Sequence, residues 1–358
     1  MISNCLVVQA IRQPESLTFL SLADWDLLLR QARRANLLSR ICALLDERGL
    51  IEQVPPQPRE HLEWARAIAK KHAQDVQWEI AMIRKALVGV GVPVILLKGG
   101  AYVMAKLPPA QGRLFSDIDI MVPKGSLNEV EAALMFHGWA TAELDDYDKR
   151  YYRTWMHELP PMQHTRRTTV IDVHHAILPE TARTHPDPEK LRSAAQLLDG
   201  YDNLKVFAPA DMVLHSATHL MHEGELHNGL RDLVDIDSLL RHFGSSPTFW
   251  PGLIERAKEL DSTRTLFYAL RYAQLILHTA VPEDTMEAAR IGSPNRVMLM
   301  LMDMLFSRAL MPDHPSCSDW LTGTARKMLF IRANWLRMPP MLLARHLFHK
   351  AFISPKSE

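Results

Sequence analysis

The stretch RLFSDIDIMVP, Arg113–Pro123, carries two aspartates, Asp117 and Asp119, in a run whose other residues are typical of a buried β-strand. Aspartate is depleted in strands, so two of them at alternate positions need an explanation. Residues i and i+2 of a strand point to the same face, and both carboxylates therefore project together. Ionised carboxylates side by side repel each other, and Mg²⁺ or Mn²⁺, which prefer carboxylate oxygens, would offset the repulsion. The stretch predicts a strand that binds a divalent cation.

A short apolar run and a pair of glycines precede this stretch. VPVILL, residues 92–97, is rich in β-branched residues and predicts a buried strand, and LLKGGAY then places Gly99 and Gly100 before a short helix. Glycine lets backbone N–H groups approach an anion closely, and a helix N-terminus adds favourable partial charge. Lys98 and Arg113 are nearby cations that suit phosphate oxygens. We therefore expect a phosphate-binding turn next to the acidic strand.

A third carboxylate is expected on a neighbouring strand, and TVIDVHH supplies one. Asp172 lies between Ile171 and Val173 on the second strand of a predicted hairpin, so it too interrupts an apolar strand. His174 follows at i+2 and points the same way. It either lines the site with Asp172 or fills space beside it.

The order of these elements resembles the polymerase-beta-type nucleotidyltransferase superfamily. More narrowly, LLKGGAY, RLFSDIDIMV and VIDVHH resemble a bacterial nucleotidyltransferase family whose members carry LKG, R..DIDLLV and VDLHW. The resemblance implies that Asp117, Asp119 and Asp172 bind Mg²⁺ or Mn²⁺ and are catalytic. It also implies that Gly99 and Gly100 form the phosphate turn of a nucleotide site, with an NTP, expected to be ATP, as substrate.

Three further residues stand beside these motifs. Arg113 matches the arginine ahead of the acidic pair, and Lys98 and Ser116 are additional candidates for nucleotide binding. The chain departs from the pattern where Gly100 replaces the frequent serine and where His175 replaces the frequent tryptophan. The interval between Gly100 and the acidic pair is also longer than in compact members, which puts the substrate geometry in question more than the metal site.

The predicted fold is α+β and predominantly helical, with a small mixed sheet of nucleotidyltransferase type. Residues 1–90 are expected to form an N-terminal helical region, residues 91–180 the nucleotidyltransferase core, and residues 181–358 a C-terminal helical domain. Strand signals fade from about residue 181, and a last helix is predicted at 341–352.

The amino-acid composition of the chain limits the classes of function that we expect. The 358 residues carry 41 Lys plus Arg and 41 Asp plus Glu, and this zero net charge argues against general nucleic-acid binding. The three cysteines predict neither a disulfide framework nor a metal site. Since no signal peptide or membrane span is apparent, we expect a cytoplasmic protein. The expected reaction moves an NMP from the NTP to a hydroxyl group of a small molecule or a protein, with release of pyrophosphate.

Two alternatives remain open. His215, His219 and His222 share a helical segment, and with Asp235 they would suit a metal-dependent phosphohydrolase. Packing of the helix, or lining of an acceptor site by His219 and His174, is the favoured reading of these histidines. The second alternative is a non-catalytic, nucleotide-binding interaction protein, which the three intact carboxylates make less attractive.

Overall fold

The structure is a computed structural model that describes residues 5–141 and 155–339, together with residues 341 and 343. The helix predicted at 341–352 lies outside the described residues, apart from those last two positions. All statements on what the fold contains refer to these described parts of the chain.

Helices make up most of the described chain, and one sheet lies among them, which confirms the predicted α+β and mainly helical fold class. In chain order the α-helices are α1 (Leu6–Arg12), α2 (Leu22–Arg34), α3 (Leu38–Glu47), α4 (Pro56–Leu87), α5 (Lys98–Met104), α6 (Leu127–Phe136), α7 (Pro188–Ala194), α8 (Pro209–His222), α9 (Gly229–Phe243), α10 (Phe249–Glu259), α11 (Thr263–Leu277), α12 (Glu283–Ala289), α13 (Arg296–Ala309) and α14 (Thr322–Arg337).

The sheet is mixed and has seven strands in the order β3-β4-β5-β2-β1-β7-β6. The strands are β1 (Val94–Leu96), β2 (Asp117–Met121), β3 (Trp139–Thr141), β4 (Met162–His164), β5 (Val170–His174), β6 (Gln196–Leu197) and β7 (Leu204–Val206). Strand β2 is central and pairs in parallel with β5, β1 pairs in parallel with β7, and the other pairs are antiparallel. The acidic strand therefore has hydrogen-bonded neighbours on both sides.

Two strands lie beyond residue 180, where the sequence predicts only helices. β7 pairs in parallel with β1, with Val94 opposite Leu204 and Leu96 opposite Val206, and β6 closes that edge. Strands of two and three residues are too short to show the alternation from which strands are predicted. The part of the chain after residue 180 thus contributes to the same sheet as the motifs.

The apolar face of β2 is buried, with Ile118 and Ile120 at most 2% exposed. The long helix α4 packs near this region and against α5, where Ile80 approaches Gly100. Packing of Ile118 and Ile120 in the apolar core fixes which face of β2 is inward, because a slip of one residue would turn the carboxylates toward that core instead. Packing on one face therefore presents both aspartates on the other.

The loop that leads into β2 is anchored on α3. Arg40 donates hydrogen bonds to the carbonyl groups of Pro108 and Gln111, at 2.8 and 3.2 Å. Gly112 lies in the left-handed region with φ of 66°. A Cβ atom there would lie 2.4 Å from the carbonyl oxygen of Ser39, which is backbone and cannot easily move. A residue with a side chain at this position would displace the chain just before Arg113.

We therefore predict that Gly112→Ala lowers the free energy of unfolding by at least about 2 kcal/mol, through backbone strain and overpacking together. Urea denaturation followed by circular dichroism would measure the change. Gly125→Ala is the matched control, since no atom lies within 4 Å of a Cβ at Gly125. It should change stability by less than about 0.5 kcal/mol. Equal effects of the two substitutions would contradict the close approach to Ser39.

Candidate active site

Three carboxylates converge where β2 and β5 run side by side. In the parallel register Asp119 lies opposite Asp172, and Asp117 is two residues earlier on the same face of β2. Carboxylate oxygens of Asp117, Asp119 and Asp172 lie within 4.8 Å of one another. The structure thus brings together the three aspartates that the sequence singles out, on strands that are direct neighbours.

Asp119 is the most enclosed of the three, with 6% of its surface exposed. Lys98 Nζ lies 3.4 Å from its Oδ1, and His174 Nε2–H donates a hydrogen bond of 3.0 Å to the same oxygen. Burial by itself would raise the pKa of Asp119, but Lys98 and His174 outweigh it and hold that pKa far below its usual range. Asp119 is therefore ionised across the whole working range of pH.

Asp172 is in the opposite situation. Its Oδ1 is buried and has no hydrogen-bond partner among the residues that the structure describes. Burial first, and then the negative charges of Asp119 and Glu158, raise the pKa of Asp172 to about 7. A buried oxygen without a partner, next to two other carboxylates, fits the hard oxygen coordination that Mg²⁺ and Mn²⁺ require.

Lys98 begins α5 with φ of 40°, a left-handed backbone conformation that is uncommon for a residue with a side chain. Burial would lower the pKa of Lys98, but the charges of Asp119 and Asp117 outweigh it and raise that pKa above its ordinary value. The strained start of α5 therefore directs the charged ammonium group of Lys98 toward the acidic strand. Backbone strain of this kind is often found at functional sites.

The two glycines of the predicted turn lie inside the first turn of α5. A Cβ on Gly99 would lie 2.8 Å from the ring of Phe115, so no larger residue fits there without moving that ring. A Cβ on Gly100 would make ordinary contacts with Ile80 and Ile118, and Gly100 faces the core. α5 has only seven residues, so its N-terminus carries only a small dipole.

Arg113 is mostly enclosed, and its guanidinium forms an ion pair with Asp235 of α9. The same group lies 5.8 Å from the ring centre of Tyr102 and 6.0 Å from that of Phe115. Its ionic partner is thus on another helix and not in the acidic strand. Ser116 is exposed, and its hydroxyl donates a hydrogen bond of 2.9 Å to Asp117 Oδ1.

Two cavities meet at the carboxylates. The arginine cavity, of about 180 Å³, is lined on its far side by Arg113, Arg231 and Asp232. The histidine cavity, of about 220 Å³, is lined on its far side by Asp172, Glu158 and several histidines. Both cavities also touch a shared set of residues, which are Lys98, Asp117, Asp119 and His219.

Several of these residues are not predicted from the sequence. Arg231 and Asp232 sit on α9, where Arg231 donates two hydrogen bonds to Asp232 Oδ1 at 3.0 and 2.8 Å. His157 and Glu158 precede β4 in a segment without a periodic pattern. No local signal singles out Glu158, since the same His-Glu pair recurs at residues 222–223.

The histidines predicted to line an acceptor site are both near the carboxylates. His174 lies in the histidine cavity, and His219 touches both cavities. The charge of Lys98, followed by burial, lowers the pKa of His219 to about 4, so this ring is neutral near pH 7. Neutral His219 can accept a hydrogen bond but does not attract phosphate.

The histidines of the alternative phosphohydrolase site have other neighbours. His215 packs edge-on against Phe207, with ring centres 5.5 Å apart, and His222 Nδ1–H donates to the Thr218 carbonyl group at 3.0 Å. Asp235 is the partner of Arg113. Within the described ranges, the groups of possible metal ligands that converge are Asp117, Asp119 and Asp172, and His157, Glu158 and His174.

In the described ranges, the helices lack the combination of length and apolar character that crossing a membrane requires. A search of curated proteins and a search of solved structures each returned no match. A family model described as "uncharacterised nucleotidyltransferase" matches residues 21–278, which cover well over half of the chain and both central strands of the site. The chain belongs to this family of uncharacterised nucleotidyltransferases.

Proposed function

We propose that the protein transfers a nucleoside monophosphate from an NTP, with ATP expected, to a hydroxyl group of a small molecule or a protein. In this reaction the acceptor hydroxyl group loses its proton to solvent and its oxygen forms a bond to the α-phosphorus. The bond from that phosphorus to the oxygen that bridges to the β-phosphate breaks, and pyrophosphate leaves with that oxygen. The convergence of Asp117, Asp119 and Asp172 on adjacent parallel strands carries the proposal.

Asp117 and Asp119, with Asp172, would hold Mg²⁺ or Mn²⁺. Bound ions would neutralise charge on the phosphates and lower the pKa of the attacking hydroxyl group. Asp119 supports this assignment because it stays ionised while it is buried. Asp172 supports it because one of its oxygens has no hydrogen-bond partner and its pKa is raised. Both features indicate that the cationic side chains nearby do not neutralise the negative charge of the cluster.

The arginine cavity is the proposed site of the triphosphate. Lys98, Arg113 and Arg231 bring three cationic side chains to its walls, and guanidinium groups suit phosphate oxygens. Gly99 lines the same cavity, and the Ser116 hydroxyl group donates a hydrogen bond to Asp117. Arg113 and its ionic partner Asp235 both line this cavity.

The histidine cavity is the proposed site of the acceptor. It contains Asp172, which the arginine cavity does not reach, together with His174 and His219. A hydroxyl group placed there would meet the third carboxylate on one side and the shared aspartates on the other. The zero net charge of the chain favours a small molecule or a protein side chain over a long nucleic acid.

The experiment that tests the function follows pyrophosphate release by purified protein with Mg²⁺ and each of the four NTPs, over a panel of hydroxyl-bearing small molecules and proteins. Labelled NMP should appear on an acceptor in the same reactions. Asp119→Asn should abolish both signals. A complete lack of transfer over a broad panel, together with no NTP·Mg²⁺ binding by calorimetry, would contradict the proposal.

We predict that the carboxylates have separable roles. Asp172→Asn should retain most of the NTP·Mg²⁺ affinity, because Asp172 lies outside the arginine cavity, and lose about 100-fold in kcat, or roughly 3 kcal/mol of the barrier. Asp117→Asn should weaken both NTP affinity and kcat, since Asp117 borders both cavities. Calorimetric NTP affinity and steady-state kcat for each variant measure the two effects.

His222→Gln serves as the control for these variants, because His222 lines the histidine cavity but bonds to the Thr218 carbonyl group and not to a carboxylate. It should leave NTP affinity unchanged. If Asp172→Asn transfers at the rate of the unmodified protein, Asp172 has no catalytic role and the assignment of β5 as the third catalytic strand is wrong.

We also predict that Mg²⁺ binding depends on pH through Asp172. The cation binds the ionised carboxylate, and Asp172 has a pKa of about 7, so a proton competes below that pH and not above it. Mg²⁺ affinity should therefore be about tenfold higher near pH 8 than near pH 6. Calorimetry at the two pH values measures this, and in Asp172→Asn the dependence should largely disappear. An unaltered pH dependence in that variant would assign the competing proton to another group.

A further inference from the structure

A short extended segment before β4 runs antiparallel to the end of β5. The Leu159 N–H group donates to the Val173 carbonyl oxygen at 2.9 Å, and the His175 N–H group donates to the His157 carbonyl oxygen at 2.8 Å. Glu158 lies directly opposite His174 between these two hydrogen bonds. Side chains of directly opposed residues are neighbours on one face, so the backbone fixes Glu158 beside His174.

Three donor groups meet at this point. His174 Nδ1 lies 3.2 Å from Glu158 Oε2, and His157 Nε2 lies 3.9 Å from the same oxygen. One ligand atom from each of His157, Glu158 and His174 lies within 4.8 Å of the others. Ligands of a tetrahedral ion are roughly 3.3 Å apart when each is 2.0–2.1 Å from the metal. The spacing is therefore close to that of a metal site.

The hydrogen bonding of the two rings leaves nitrogen atoms without a partner. Nδ1 of His157 and Nδ1 of His174 are buried and make no hydrogen bond within the described parts of the chain, although Glu158 is near. Buried polar atoms of this kind are rare and call for a partner. A shared cation would satisfy Nδ1 of His174 and Glu158 together at the distance observed.

His174 is also oriented as metal-binding histidines usually are. Its Nε2–H group donates to Asp119 Oδ1 at 3.0 Å, which fixes the ring and turns Nδ1 toward Glu158. In zinc sites, a histidine that binds the metal through one ring nitrogen commonly donates a hydrogen bond from its other ring nitrogen to a carboxylate.

We propose that His157, Glu158 and His174 bind a divalent transition-metal ion, with Zn²⁺ as the best fit. Two imidazoles and one carboxylate favour Zn²⁺ or Co²⁺ over Mg²⁺, which prefers oxygen ligands alone. Three protein ligands leave a fourth position, which opens into the histidine cavity and can take water or an oxygen atom of a bound molecule. These ligands differ from the three aspartates, to which they are joined by the hydrogen bond from His174 to Asp119, and the proposal does not depend on the proposed transfer reaction.

Co²⁺ alone is the probe, added to the full chain after treatment with a chelator and without nucleotide. Four-coordinate Co²⁺ absorbs visible light much more strongly than six-coordinate Co²⁺, so the spectrum separates this site from a carboxylate site. We expect one Co²⁺ per chain with four-coordinate bands, displaced by Zn²⁺ and not by excess Mg²⁺. Glu158→Gln and His157→Gln should each weaken Co²⁺ affinity at least about tenfold.

Two control variants sharpen the result. His222→Gln removes another histidine of the same cavity and should bind Co²⁺ as the unmodified chain does. Asp117→Asn alters the acidic strand and should keep the four-coordinate Co²⁺ bands. A failure of the proposed transfer would therefore leave the Co²⁺ spectrum unchanged, whereas a failure of this site would remove the four-coordinate bands. The proposal is overturned if the unmodified chain shows only six-coordinate bands or none. It is equally overturned if Glu158→Gln, which preserves the shape of the side chain, binds Co²⁺ with unchanged affinity.

Discussion

The register between β2 and β5 is the constraint on which the site depends. Because the strands are parallel and Asp119 lies opposite Asp172, alternate residues of both strands share one face. That face receives carboxylates from both strands and His174 from the end of β5. The opposite face of β2 holds Ile118 and Ile120, and their burial prevents the register from slipping. Hydrophobic packing on one side of the sheet thus maintains an electrostatically unfavourable cluster on the other.

The charge balance of that cluster links the two cavities. Lys98 and His174 both contact the same oxygen of Asp119, which leaves Asp172 without a cationic partner of comparable strength. One aspartate is therefore held ionised, and its counterpart on β5 titrates near neutrality. Such a division between neighbouring carboxylates is common at catalytic sites, since repulsion and burial push their pKa values apart. Asp172 lines only the histidine cavity, so the two cavities differ in electrostatic character.

The parts of the candidate site that depend on local sequence patterns could be predicted from the sequence. The alternation in SDIDIMV and in TVIDVHH predicts two strands with inward isoleucines and outward aspartates, and both strands are present as expected. Contacts between residues on elements distant in the sequence could not be predicted from it. The ion pair of Arg113 with Asp235 joins residues on a loop and on α9, and no local pattern encodes it. The same holds for Glu158, which is extended without alternation and acquires its neighbour only by pairing with His174.

The pairing of β7 with β1 means that the segment with the sequence motifs does not contain the whole sheet. All the sequence motifs lie before residue 180, yet the strand that covers the outer edge of β1 is contributed by Leu204–Val206. A fragment that ends after the last motif would leave β1 as an unprotected edge, which favours association with other chains. The part of the chain that completes the sheet thus extends beyond the part that carries the motifs. Any transplant of this site onto another scaffold would have to carry the later strands with it.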